Sequence, residues 1–343
     1  MKTTTLGATG LTVSAVGFGG IPITRLAEDA AAQLVRAAFD AGINFFDTAW
    51  GYPGSEERMG RGLKGLDRSR FVIATKDGSS DGAMFRKHVL ESLERLGTDY
   101  VDIIQFHNLS DRPQLEAVMA PGGAYEAALK LRDEGCARHI GVTCHNSELA
   151  AELVASGKFE TLQAQINFVG NEAEFLVAEC ARRNMGFIGM KPFAGGAIED
   201  GELAIRYLQQ FPTVVPIPGL EKPEELRQVV ELFNAPLAPT EEQRQRMAKI
   251  REEVGKVFCR ACGYCQPCPQ EIAIAMVLRI KSIVRRMPLD LSLRLGSRYT
   301  DKVESCLDCH ECVKRCPYHL EIPAMLRERR DWFNEWRKTV PEA

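Results

Sequence analysis

Along the first two-thirds of the chain, short apolar runs alternate with segments of helical period. Residues 4–13 alternate around Gly7 and Gly10, which predicts a small hairpin. Val13-Ser14-Ala15-Val16-Gly17-Phe18-Gly19-Gly20 then reads as a first buried strand ending in a glycine turn. Further strands are predicted to end at or near Asp47, Lys76, His107, Thr143, Asn167, Lys191 and Pro218. Helical patterns over 28–41, 55–65, 82–96, 125–134, 147–155, 172–184, 202–210 and 224–233 follow them in turn. Asn108 to Gly123 is expected to be a long loop. Eight strand–helix units within residues 1–235 match the size of a (β/α)8 barrel. A doubly wound sheet fits less well, because no Gly-x-Gly-x-x-Gly turn follows the first strand.

Beyond the repeat, Asn234-Ala235-Pro236-Leu237-Ala238-Pro239 reads as a linker. Thr240 should cap a charged helix over 241–254 with Glu241 and Glu242 in its first turn. The expected division is a barrel over 1–235, a linker and connecting helix over 236–255, and a small α-helical cysteine domain with a final helix over 256–343. That last segment holds too little apolar sequence for a large core, so bound metal should supply its stability.

Composition narrows the function. A formal net charge of -3 over 343 residues gives no global attraction to nucleic acid or membrane. Met1-Lys2-Thr3-Thr4-Thr5 lacks the apolar run of a signal peptide, and Ile272 to Leu278 is far too short to span a bilayer. A cytoplasmic protein without nucleic-acid or membrane partners is expected. Of the 11 cysteines, only Cys136, Cys144 and Cys180 lie outside two tight groups after residue 255, which suits ligand chemistry better than a disulfide framework.

Three successive strands deliver a polar residue at or just past their ends, and a tyrosine follows the first of them: Asp47, Tyr52, Lys76 and His107. In a parallel barrel those ends share one face. A tyrosine ordinarily titrates near 10, and a neighbouring ammonium favours its phenolate. A carboxylate would hold the lysine in place, and the histidine could orient a substrate oxygen toward the phenol. Such a group can give a proton to a carbonyl oxygen as hydride reaches its carbon.

Asp47-Thr48-Ala49 with Tyr52, then Ile73-Ala74-Thr75-Lys76, then Asp99-Tyr100-Val101-Asp102 leading to His107, resemble the aldo-keto reductases in order and spacing over about residues 3–235. The resemblance implies nicotinamide-dependent interconversion of a small carbonyl compound and its alcohol. It implies Tyr52 as general acid, Lys76 as its partner, Asp47 as the partner of Lys76 and His107 as substrate-orienting group. It also implies a cofactor site. Thr143 and Gln163 would hold the nicotinamide amide. Gly20 and the loop with Lys191, Phe193 and Gly195 would lie along the cofactor. Gly219, Glu221, Lys222 and Glu225 would meet the adenosine end. Met190 stands where the family often places an aromatic residue, and Gln228-Val229 replaces a common Glu-Asn pair. Glu221 would suit the ribose hydroxyl of NAD and Lys222 the extra phosphate of NADP; NADP is the expected form, with NAD the alternative.

The cysteines form two runs: Cys259, Cys262, Cys265 and Cys268 before Pro269, then Cys306, Cys309, Cys312 and Cys316 before Pro317. The second run fits the bacterial ferredoxin pattern, in which the fourth cysteine of each run ligates the other cluster. Two [4Fe-4S] clusters are expected, one on Cys259, Cys262, Cys265 and Cys316, the other on Cys268, Cys306, Cys309 and Cys312. The first run has two residues rather than three before its last cysteine, which leaves its crossed pairing open. Zinc is the alternative metal. This part resembles dicluster ferredoxin domains, and some aldo-keto reductase relatives carry such a tail. The clusters could transfer electrons or be purely structural. Arg285-Arg286 and Arg327-Glu328-Arg329-Arg330 could dock an acidic, ferredoxin-like electron-transfer protein, or could be solvated faces. Trp332, Phe333 and Trp336 are expected to pack the last helix, and Cys144 to be a buried thiol. The remaining readings are an electron-transfer enzyme that uses little nicotinamide and a non-enzymatic redox sensor.

Overall fold

The structure is a computed structural model that describes residues 1–340. The chain divides into two compact units, residues 1–247 and residues 248 onward.

In the first unit, β1 (Thr3–Thr5) and β2 (Thr12–Ser14) form an antiparallel hairpin. Its Leu6 and Val13 pack with Phe45 and Val72, at the starts of two barrel strands, and so stop that end of the barrel. The barrel strands are β3 (Phe18–Gly19), β4 (Phe45–Asp47), β5 (Val72–Asp77), β6 (Val101–Phe106), β7 (Ala137–Cys144), β8 (Thr161–Gln165), β9 (Gly186–Met190) and β10 (Val214–Pro216), paired in parallel in chain order. Closure comes from Gly17 N–H to Pro216 O at 2.8 Å, Gly19 N–H to Pro218 O at 2.9 Å, and a parallel bridge from Gly19 to Gly219. The seam requires glycine at 19, because a Cβ there would lie 2.8 Å from the Ile217 carbonyl oxygen.

Helices α1 (Glu28–Asp40), α2 (Ser55–Leu63) and α3 (Gly82–Leu96) cover the first strands. The ends of α3 follow local chemistry: Asp81 accepts from Met84 N–H, and Gly97 turns left-handed with φ 65°. The segment after β6 differs from the expected loop, since Arg112–Met119 forms a helix, α4. Pro113 occupies the first turn, where its lack of an N–H costs no intrahelical bond, and Asp111 caps the helix through Gln114 N–H. Then come α5 (Ala124–Asp133), α6 (Ser147–Ala155), α7 (Glu174–Arg182), α8 (Gly201–Leu208) and α9 (Pro223–Asn234). Thr240 Oγ1 accepts from Gln243 N–H at the start of α10 (Glu241–Gly255).

The second unit is helical: α11 (Ile274–Leu278), α12 (Ile280–Arg286), α13 (Leu289–Thr300), α14 (Glu311–Lys314) and α15 (Ile322–Lys338). Ile272, Ile274, Val277, Leu278, Leu320, Ile322 and Leu326 form a core in which the cysteines themselves are packed. A smaller core joins Ile280, Ile283 and Phe333, with Trp332 and Trp336 against it. Gly296 makes room for the Phe333 ring, which would lie 2.1 Å from a Cβ at that position. Among the described residues no helix is long and apolar enough to cross a membrane.

Candidate active site and cysteine centres

β4, β5 and β6 lie side by side, and their C-terminal ends bring Asp47, Lys76 and His107 to one rim. Lys76, 1% exposed, donates to Asp47 Oδ1 at 2.6 Å and to the Thr48 carbonyl at 2.7 Å. Its ammonium lies 5.2 Å from the centre of the Tyr52 ring. Tyr52 in turn meets His107 edge-on, with centroids 5.6 Å apart and planes at 82°. The tyrosine rides on a tight turn: Tyr52 N–H donates to Ala49 O at 3.0 Å and Trp50 N–H to Lys76 O at 3.1 Å.

Burial pushes the Asp47 carboxyl up and the Lys76 ammonium down, and the contact between them opposes both shifts. Gln105 Nε2 donates to the other Asp47 oxygen at 3.3 Å, and Gln163 adds a further hydrogen bond. Burial and the nearby Lys76 charge push His107 down to about 3, which leaves a neutral imidazole at ordinary pH.

The residues matched to cofactor positions fall on the same rim or on the loops that leave it. Gly20 N–H donates to the Asp47 carbonyl at 2.7 Å, and a Cβ on Gly20 would meet Ser55 Oγ at 2.7 Å. Thr143 and Gln163 are register neighbours on β7 and β8, and both are buried. Thr143 Oγ1 accepts from Asn108 N–H at 2.6 Å, which leaves its hydroxyl hydrogen free to donate. Gln163 Oε1 is buried and has no hydrogen-bond partner among the described residues. After β9, Lys191 takes the left-handed conformation at φ 57°, with Nζ 3.3 Å from His145 Nδ1. Phe193 leads into a short turn over Ala194–Gly196 that contains Gly195. After β10, Gly219 bridges to Gly19, Glu221 pairs with Arg25 at 3.5 Å, and Lys222 is exposed. Glu225 accepts from the N–H groups of Glu221 and Lys222 at 2.8 and 3.2 Å, so its carboxylate orders the start of α9.

Three residues escaped the sequence reading. Gln105 lies inside β6 and resembles ordinary strand filler. Glu56 and Arg95 lie on α2 and α3, where charge usually marks a helix end. Glu56 is 0% exposed, however; it accepts from Thr75 Oγ1 at 2.6 Å and lies 3.4 Å from Arg95. Burial also pushes the Cys144 thiol up to about 11, so it is an inert buried group.

In the second unit the eight cysteines ring two hollows. Cys259, Cys262, Cys265 and Cys316 line one, with Ala275, Leu278 and Ile322 in its wall. Cys268, Cys306, Cys309 and Cys312 line the other, with Ile274, Pro323 and Leu326. Adjacent residues Ile274/Ala275 and Ile322/Pro323 face opposite hollows, so the two lie back to back. Burial pushes Cys265 up to about 12, and Cys259, Cys262 and Cys316 add to that rise; a cationic metal centre would relieve this repulsion. Among the described residues no three metal-binding side chains gather on a single ion. Arg327 is paired with Asp308 at 2.7 Å and Arg330 with Asp331 at 2.8 Å, which engages that basic run locally.

Fold and site together define an oxidoreductase barrel followed by an iron–sulfur module. The chain belongs to the aldo/keto reductase family: residues 15–203 match that family, and residues 258–321 match the 4Fe-4S dicluster domain. It is similar to L-galactose dehydrogenase of Arabidopsis thaliana, 36% identical over 214 residues that cover 57% of this chain and 66% of that protein, just under two thirds of its length. It is also similar to 6-dehydroglucose reductase of Novosphingobium aromaticivorans, 33% identical over 226 residues, covering 58% and 69%. Among solved structures, an aldo-keto reductase from Bacillus halodurans in its holo form superposes with a TM-score of 0.63 at 24% identity, over 73% of this chain and 96% of that one. One from Klebsiella pneumoniae in complex with NADPH gives 0.61 at 24% identity over the same shares. At that identity the likeness is one of fold.

Proposed function

We propose that the barrel interconverts a small carbonyl compound and its alcohol with NADPH or NADH. The observation that carries this reading is the placement of the Lys76 ammonium between Asp47 and the Tyr52 ring, with His107 against that ring. Tyr52 donates the proton to the substrate oxygen, and the ammonium beside it stabilises the phenolate left behind. Asp47 and the Thr48 carbonyl hold the ammonium at a fixed point. His107, neutral, presents a ring nitrogen to orient the substrate oxygen toward Tyr52. A nicotinamide suits the residues present: the buried acceptor Gln163 Oε1 matches a carboxamide N–H, and the Thr143 hydroxyl can donate to its oxygen. When bound, that cofactor supplies or accepts the hydride.

The second unit, in the same proposal, binds two [4Fe-4S] clusters, one on each cysteine quartet. That no three metal-binding side chains among the described residues gather on a single ion supports this over zinc, whose four sulfurs each sit about 2.3 Å from one ion. Such clusters supply one-electron chemistry, and the back-to-back hollows would let an electron pass between them.

Tyr52→Phe tests the barrel reading, assayed with NADPH and 4-nitrobenzaldehyde. The expected result is a loss of turnover of at least about a hundredfold with NADPH binding retained. Undiminished turnover overturns the assignment.

A further inference from the structure

A second polar network lies behind the Asp47–Lys76 pair, on the helix side of β5. Thr75 and Lys76 are consecutive on that strand, and each is fully buried. Lys76 reaches Asp47, whereas Thr75 Oγ1 donates to Glu56 Oε1 at 2.6 Å. Glu56 sits in the first turn of α2, where a carboxylate is favoured by the helix dipole. Ser55 beside it donates to the Gly20 carbonyl at 2.8 Å and accepts from Thr48 Oγ1 at 2.9 Å, which fixes the helix start to β3 and β4. Arg95 of α3 approaches the other Glu56 oxygen at 3.4 Å and donates to the Trp50 carbonyl at 3.2 Å. Its guanidinium also lies 5.4 Å from the Trp50 ring, whose Nε1 donates to Glu91 at 2.8 Å. One buried carboxylate thus touches the strand that carries Lys76 and, through Arg95, the turn that carries Tyr52.

We propose that Glu56 is a positioning residue, a second counter-charge that acts on Lys76 through the wall of β5 and on the Tyr52 turn through Arg95. Burial pushes the Glu56 carboxyl up, and hydrogen bonds from Thr75 and Ser92 together with the Arg95 charge oppose that rise, so the buried carboxylate is partnered. In a dry interior its field reaches the neighbouring ammonium with little screening. The charge on Glu56 favours the ammonium form of Lys76, as Asp47 does at closer range. The groups facing Lys76 are therefore Asp47, Glu56, Tyr52 and His107; those facing Glu56 are Arg95, Glu57 and Lys76.

The proposal rests on Lys76 as the partner of Tyr52, but its test needs no turnover. Protein labelled at lysine ¹³Cε is titrated by NMR, with the Lys76 signal assigned by its loss in Lys76→Met. Glu56→Gln keeps an acceptor for Thr75 and removes the charge. The expected result is that Lys76 loses its proton at lower pH in Glu56→Gln than in the wild type. The upper limb of kcat/KM for 4-nitrobenzaldehyde should move the same way. An unmoved Lys76 titration overturns the proposal, because a merely structural role is rescued by glutamine. In wild-type protein labelled at glutamate ¹³Cδ, Glu56 should be ionised at neutral pH, and a protonated Glu56 overturns the proposal even if the variant fails to fold. Absence of wild-type carbonyl turnover would count against the barrel reading alone, leaving the lysine titration to decide the role of Glu56.

Discussion

The barrel and the cysteine unit are held together by different means. In the barrel, large side chains such as Phe18, Phe45, Phe46, Phe106 and Phe187 are buried without help from a ligand, each contributing about 1.5–3 kcal/mol. Its polar site is an inclusion at one rim of a core that is complete on its own. In the second unit, the main core is wrapped around the cysteines, and Cys265 and Cys316 are among its buried members. There the site is the core. The contrast teaches that loss of a site residue should silence the barrel and leave it folded, whereas loss of metal should unfold the second unit.

The largest effect expected is from stripping iron. Hydrogen exchange should show α11 to α15 losing protection while β4 to β9 keep theirs; equal loss in both would erase the distinction. A smaller effect separates the two hollows. Cys259→Ser and Cys306→Ser should each leave roughly half the iron, with different spin signals, since each removes a ligand from one cluster. The surviving signal in Cys316→Ser should match that in Cys259→Ser, and a match to Cys306→Ser instead would refute the crossed pairing. Smaller again is Gly296→Ala, whose methyl meets the Phe333 ring. It should cost the second unit about 1–3 kcal/mol, read as a lower melting temperature of the iron-loaded protein.

The subtlest test returns to the barrel. His107 is held near 3, against an ordinary value of 6.5, so its NMR signals should stay flat between pH 8 and 5. A midpoint near 6.5 would contradict the site's electrostatics. The unfolded chain binds this proton near 6.5 and the folded one only near 3, so barrel stability should fall as pH is lowered through that window.

Much of this comparison was legible in the chain, and for physical reasons. Strands buried on both faces read as largely apolar runs, so Val101–Phe106 emerged with its observed bounds despite Asp102 and Gln105, and α3 was marked by its closing glycine, Gly97. Asp47, Lys76 and His107 stood out because three successive strands each deliver a polar residue at or just past their ends, although any one of them alone has an ordinary structural explanation. Helix α4 reads in the sequence as part of a long loop; it is short, and its Pro113 is compatible with a helix only in the first turn, where it lies. Glu56 was hidden by the charge beside it: Ser55-Glu56-Glu57 reads as a solvated helix start, and only the packing of α2 against β5 buries the first glutamate and exposes the second. Cysteine spacing announced ligand chemistry and the expected quartets, and the fold lines one hollow with the first run and Cys316 and the other with the second run and Cys268.

The most direct test of the central claim follows the hydrogen itself. Iron-loaded protein is given NADPH carrying deuterium at both C4 positions, with 4-nitrobenzaldehyde in ordinary water and without air. If the barrel site performs the reduction as described, one deuterium is bonded to the carbinol carbon of the 4-nitrobenzyl alcohol, and the hydroxyl proton comes from solvent through Tyr52. An alcohol whose carbinol carbon carries solvent hydrogen instead would mean that the electrons arrive singly, and would contradict the account.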